Sequence, residues 1–205
     1  MNKALFFFLF ISFHFASFSQ EHLSLLKKAQ KQFGNNEIPE AVSTCEQALK
    51  YAEINVGKQH QDYGDILHYL GAYLYYNGQQ EEGQRQLQEA INIIYKTIGE
   101  KNDTYMQAVA DQTGIYYVEG DFDKAEVNFK KLMDIKKSMG QSKDRDFAVF
   151  QGSLAATQQE LGKYKESELN NLQSIHLLED LKLEGTLDYP SALNSLATLY
   201  VLQQQ

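Results

Sequence analysis

One spacing recurs through most of this chain and limits what it can fold into. Tyr63, Tyr105, Phe147 and Tyr189 follow one another at intervals of 42 residues, with Asp62, Thr104, Asp146 and Asp188 directly before them. Gly78, Gly120 and Gly162 keep the same interval; so do Gly57 and Gly99, and Gly140 falls one residue short of the next step. Ala41, Gly83, Ala125 and Ser167 form a fourth series, all small. Self-similarity at a fixed step marks a repeat architecture, in which one supersecondary unit stacks on the next.

Each series has a physical reason. Asp and Thr cap helix N-termini, because a side-chain oxygen accepts a free backbone N–H of the first turn. A helix C-terminus favours a left-handed residue, which is cheapest as Gly. The Gly57, Gly99 and Gly140 series therefore ends the second helix of a pair, and the Gly78, Gly120 and Gly162 series makes the turn inside it. The small series lets two helices approach closely. The pattern predicts helices over Glu21–Phe33 and Ile38–Val56, Tyr63–Asn77 and Gln80–Ile98, Tyr105–Glu119 and Phe122–Met139, Phe147–Leu161 and Tyr164–Glu184, then an unpaired helix from Tyr189 to Gln205. Leu87, Ile91, Ile94 and Ile98 step by three or four, as do Phe129, Leu132, Ile135 and Met139, which is helical spacing. Only 2 prolines interrupt 205 residues. The expected fold class is all-α, a right-handed solenoid of antiparallel helix pairs.

The first residues read differently. Lys3 opens an apolar, Phe-rich run to Phe15, and small residues follow at Ser17 and Ser19. That order predicts a secretory signal peptide over 1–19, cut between Ser19 and Gln20. The array then occupies 20–205, about four helix pairs and one terminal helix, in an exported protein, periplasmic or secreted. The net charge of −8 argues against nucleic acid, whose phosphates need clustered cations. No membrane insertion is expected after signal cleavage. The single cysteine, Cys45, sits in a helical pattern and reads as a packing residue.

The repeat resembles the tetratricopeptide repeat in its 42-residue, kinesin-light-chain-like form. Leu196-Ala197-Thr198-Leu199-Tyr200 matches the family's Leu-small pair and Tyr; Leu70-Gly71 and Leu154-Ala155 match the pair. Tyr116-Tyr117-Val118-Glu119-Gly120-Asp121-Phe122-Asp123-Lys124-Ala125 matches the middle of the motif, and Leu161-Gly162-Lys163-Tyr164 its turn. Gln112-Thr113, Gln158 and Asn36 depart from it. Arrays of this type stand before CHAT (caspase-like) domains and membrane-bound histidine kinases, so the resemblance implies either a scaffold for a protein or peptide partner or the regulatory array of a larger enzyme. In the second case the catalytic domain would lie in the same longer chain. A last helix without a partner, with Leu193, Leu196, Leu199, Tyr200 and Leu202 uncovered, fits a piece of a longer protein.

The resemblance also implies which residues face a bound segment. The first helix of each pair lines the concave face, at Asp65, His68, Ala72, Tyr75 and Tyr76, then Gln107, Ala110, Gly114, Tyr117 and Val118. Val149, Gly152, Ala156, Gln159 and Glu160 follow, and Asn194 in the last helix. The expected peptide-binding residues are Asp65, His68, Tyr75, Tyr76, Gln107, Tyr117, Gln159 and Asn194. Lys130 and Lys136 are expected on the opposite, inert face. No catalytic residue, metal site or cofactor is expected. The glycines are explained by the repeat, His60-Gln61-Asp62 reads as a turn and cap, and no nucleophile elbow is present.

Overall fold

The computed structural model describes residues 21–203. The expected signal segment, 1–19, lies outside them. Among the described residues the chain is all helix without a strand: α1 (Glu21–Gly34), α2 (Ile38–Asn55), α3 (Gln61–Tyr76), α4 (Gln80–Ile98), α5 (Asp103–Val118), α6 (Phe122–Ser138), α7 (Arg145–Glu160), α8 (Tyr164–Asp180) and α9 (Asp188–Leu202). This is the all-α helical-repeat architecture that the 42-residue step predicts. Helices α3, α5, α7 and α9 begin one or two residues before their periodic aromatic. The main departure is α8, which stops at Asp180 and not at Glu184, because Lys182 takes a φ of 58° and turns the chain out of the helix.

The chain divides into two compact units, one reaching to Ala108 and the other starting at Val109, within α5. In the first, α1 pairs with α2 and α3 with α4, while α1 and α2 also pack on α3. Leu26, Ile66, Leu67, Leu70 and Leu74 fill its core. Cys45 is fully buried there, and burial pushes its thiol far above the ordinary range, as suits a packing residue. In the second unit α7 pairs with α8, α6 packs on α7, and α9 packs on both α7 and α8.

The turns inside the pairs share one hydrogen-bond pattern. In the α3–α4 turn the Gly78 N–H donates to Tyr75 O and the Gln79 N–H to Leu74 O. Gly120 with Asp121, and Gly162 with Lys163, repeat both bonds. These double closures need a left-handed residue, and Gly78 has φ 86°. Where the first unit has Asn36 in place of Gly, the asparagine adopts φ 65° and the same bonds form from Asn36 to Phe33 and from Glu37 to Gln32. Asn tolerates this region better than other side chains.

The small series marks where paired helices touch. Ala41, Ala125 and Ser167 are wholly buried. Gly83 of α4 lies so close to α3 that an added Cβ would stand 2.6 Å from both Gly71 O and Tyr75 N. Gly71 is equally confined from the other side, 2.7 Å from Leu87 N. The obstructing atoms are backbone, so no rotamer change can relieve them.

The capping series differs from expectation. Asp62, Thr104 and Asp146 do not cap; the cap stands three residues before each aromatic. His60 Nδ1 accepts from the Asp62 N–H, Asn102 Oδ1 from the Tyr105 N–H, and Asp144 Oδ1 from the Phe147 N–H. His60, Asn102 and Asp144 are themselves 42 apart. The displaced carboxylates join neighbouring helices instead. Asp62 Oδ2 accepts from His22 Nε2 of α1 at 3.0 Å, and Asp188 Oδ2 from Arg145 Nε of α7 at 2.7 Å. Asp146 and Asp144 both accept from Lys136 Nζ, at 3.1 and 2.9 Å.

Lys136 is therefore not the inert residue expected: it is 2% exposed and ties the end of α6 to the start of α7. Lys130 is exposed, but it joins a second network around Glu126, which also accepts from Lys163 Nζ at 2.7 Å and Gln158 Nε2 at 3.3 Å. Burial works to raise the Glu126 pKa, but Lys130, Lys163 and Gln158 outweigh it and hold it at about 2. On α9 the expected exposure holds for Leu193, Tyr200 and Leu202, whereas Leu199 is fully buried and Leu196 half-buried against α8 and α7.

Close packing at the small series gives a direct test. Gly83→Ala and Ala125→Leu should each lower stability by about 1–3 kcal/mol, because both push a pair of helices apart. Denaturant midpoints of the two variants and the parent measure it.

Candidate functional site

Two clefts are lined by the same register positions of the repeat. In the first unit a cleft of about 460 Å³ opens between α1, α3 and the first turn of α5. Leu23, Asp65 and Gln107, one repeat apart from each other, line it together with Leu26 and His68, again one repeat apart. In the second unit a narrower cleft of about 180 Å³ lies against α7, α8 and α9. Its wall includes Val149 and Ser191 at the Asp65 position, Gly152 at the His68 position, and Ser153 and Ser195 at the Tyr69 position. Side chains on one face of a helix recur every three or four residues, and stacking brings equivalent residues of successive first helices together.

Of the expected binding residues, Asp65, His68 and Gln107 thus meet in one cleft. Gln107 is exposed, Asp65 half-buried, and His68 only 2% exposed. Tyr75 is buried, closed off by its own packing, and Tyr76 beside it carries the exposed ring, 63% accessible and edge-on to Tyr75 at 5.8 Å. Neither lines the cleft. In the second unit Tyr117 is half-buried, its ring edge-on to Phe122 at 5.4 Å; Gln159 is half-buried and Asn194 exposed. None of the three lines the cleft of that unit. Sequence reading missed Leu23, Leu26, Lys27 and Gln30, because the register was not carried back into α1. Subtracting one repeat from Asp65, His68, Tyr69 and Ala72 gives these four residues.

Asp65 is the electrostatic anomaly of the first cleft. Its Oδ2 accepts from Gln61 Nε2 at 3.5 Å, and its Oδ1 is out of contact with solvent and without a hydrogen-bond partner. Burial, helped by the charge of Asp62, pushes its pKa up to about 6; Gln61, His68 and His60 act weakly the other way. The charged carboxylate is thus held at a cost. No group of three or more His, Cys, Asp or Glu side chains among the described residues is arranged to hold a metal ion. No helix among them is long and apolar enough to cross a membrane.

Solved structures show the same fold. The nearly identical TPR-like repeats of a Podosopora anserina protein named as a kinesin light chain superpose with a TM-score of 0.77 at 18% identity, over 91% of this chain and 88% of that one. BtubC (BKLC) from P. vanneervenii matches with a TM-score of 0.71 at 18% identity, over 77% of this chain and 63% of that one. The apo form of RapI matches with a TM-score of 0.73 at 16% identity; 90% of this chain covers 49% of RapI, so the chain spans about half of RapI's length. No family's sequence profile matches the chain, and the search of curated proteins found no match. The likeness establishes a TPR-like fold.

The strained carboxylate has a measurable signature. The folded-state pKa of Asp65 is raised, so its cost is full above about pH 6 and is relieved as the pH falls and the group takes up a proton. Asp65→Asn should therefore be more heat-stable than the parent at neutral pH, and the gap should close on acidification towards pH 4. Melting curves across that range decide it.

Proposed function

We propose that this chain is a scaffold that captures a segment of a protein or peptide partner in the cleft of its first unit. The observation that carries the reading is that one register of the repeat, seen at Leu23, Asp65 and Gln107, builds an open cleft from three successive first helices. Its walls mix apolar faces with polar tips, as binding surfaces do. The TPR-like fold of the solved relatives supports a binding role in preference to a catalytic one. The signal-like pattern of 1–19 supports export, and the mass of the mature protein, starting at Gln20, is its test.

Filling the cleft tests the capture role. Thr104→Trp with Gln107→Trp should abolish binding of peptides selected from a random library on the immobilised protein, leaving helicity unchanged by circular dichroism. Gln47→Trp with Lys50→Trp, equally bulky and on exposed positions of α2, should bind as the parent does. Equal binding by the cleft-filled protein would remove the cleft as the site.

A further inference from the structure

The cleft of the first unit has an unbalanced charge. Two carboxylates, Asp65 and Asp103, line it against one ammonium, Lys27. Lys27 is exposed. Asp65 is the deeper of the two carboxylates, and its Oδ1 is cut off from both water and protein donors. A buried carboxylate in that condition is poorly solvated, and a cation brought against the carboxylate from the cleft offsets part of that cost. Leu23, Leu26 and Tyr69 line the same cleft. Such walls suit the methylene stem of a long basic side chain, and an aromatic face attracts a guanidinium.

We propose that the segment captured by this cleft carries a lysine or arginine whose charged end pairs with Asp65. The proposal rests on the capture role proposed above and names the chemistry of what is captured. The cationic group comes from a polypeptide and not from a free small amine, because a cleft of about 460 Å³ spanning three helices takes a side chain together with its flanking residues. The acidic net charge of −8 favours approach of a basic partner.

A selection separates this proposal from the one it rests on. Peptides selected from a random library on the immobilised protein at neutral pH should share a Lys or Arg at a common position. Asp65→Asn, which keeps shape and removes charge, should weaken their binding roughly tenfold or more. Replacing that Lys or Arg with Gln in the peptide should weaken binding to the parent as much, with little further loss on Asp65→Asn. N-acetyl-arginine amide alone should compete only at far higher concentration. Peptides that bind the cleft without a common basic residue, or that bind Asp65→Asn as they bind the parent, would overturn the cation pairing and leave peptide capture standing. Competition by the free amide as tight as the peptide would point to a small cation and overturn the polypeptide source. A selection that yields no peptide would remove both proposals.

Discussion

The structure depends on how closely two helices of a pair can lie. At Gly71 and Gly83 the separation is so small that backbone meets backbone, with no room for a methyl group. Ala41, Ala125 and Ser167, the equivalent positions of the other pairs, are wholly buried small residues. This contact fixes where along its length each helix crosses its partner. Once that is fixed, the positions left facing the next pair are fixed too, and the clefts follow from them. Dispersion and apolar burial then act on surfaces already in register.

Much of the fold was legible because backbone requirements leave few residue choices. A left-handed turn asks for Gly or Asn, and a tight crossing asks for Gly, Ala or Ser, so both appear as periodic columns. Capping was less legible. An aspartate before an aromatic looks like a cap, but a cap is set by which side-chain oxygen or nitrogen reaches the first-turn N–H groups, and His, Asn and Asp all do so here. The column His60, Asn102, Asp144 varies in chemistry while keeping its role, so it is less visible than the near-uniform column beside it. Lys136 was misjudged for a related reason. Its neighbour Lys137 is exposed, and only the fold brings Asp144 and Asp146 over the ammonium of Lys136.

The site was partly legible. The register that identified Asp65, His68 and Gln107 picked out three residues that line one cleft, because stacking repeats a face from helix to helix. It failed at Tyr75, where the apolar body of the ring is drawn into the core, and it stopped short of α1, whose residues share no visible motif with the later helices. The unpaired Oδ1 of Asp65 was beyond sequence reading altogether: a lone aspartate on a helix is ordinary until neighbouring helices close over it.

The tethers between first helices carry a mechanical consequence. Asp62 holds His22, forty residues back, and Asp188 holds Arg145, forty-three back. Each bond reaches one repeat and no further, so in neither unit does this tether bind distant parts of the chain. Under tension each would behave as links in series and not as a knot: the load passes through every interface in turn, and the link with the weakest tether opens first while its neighbours remain folded.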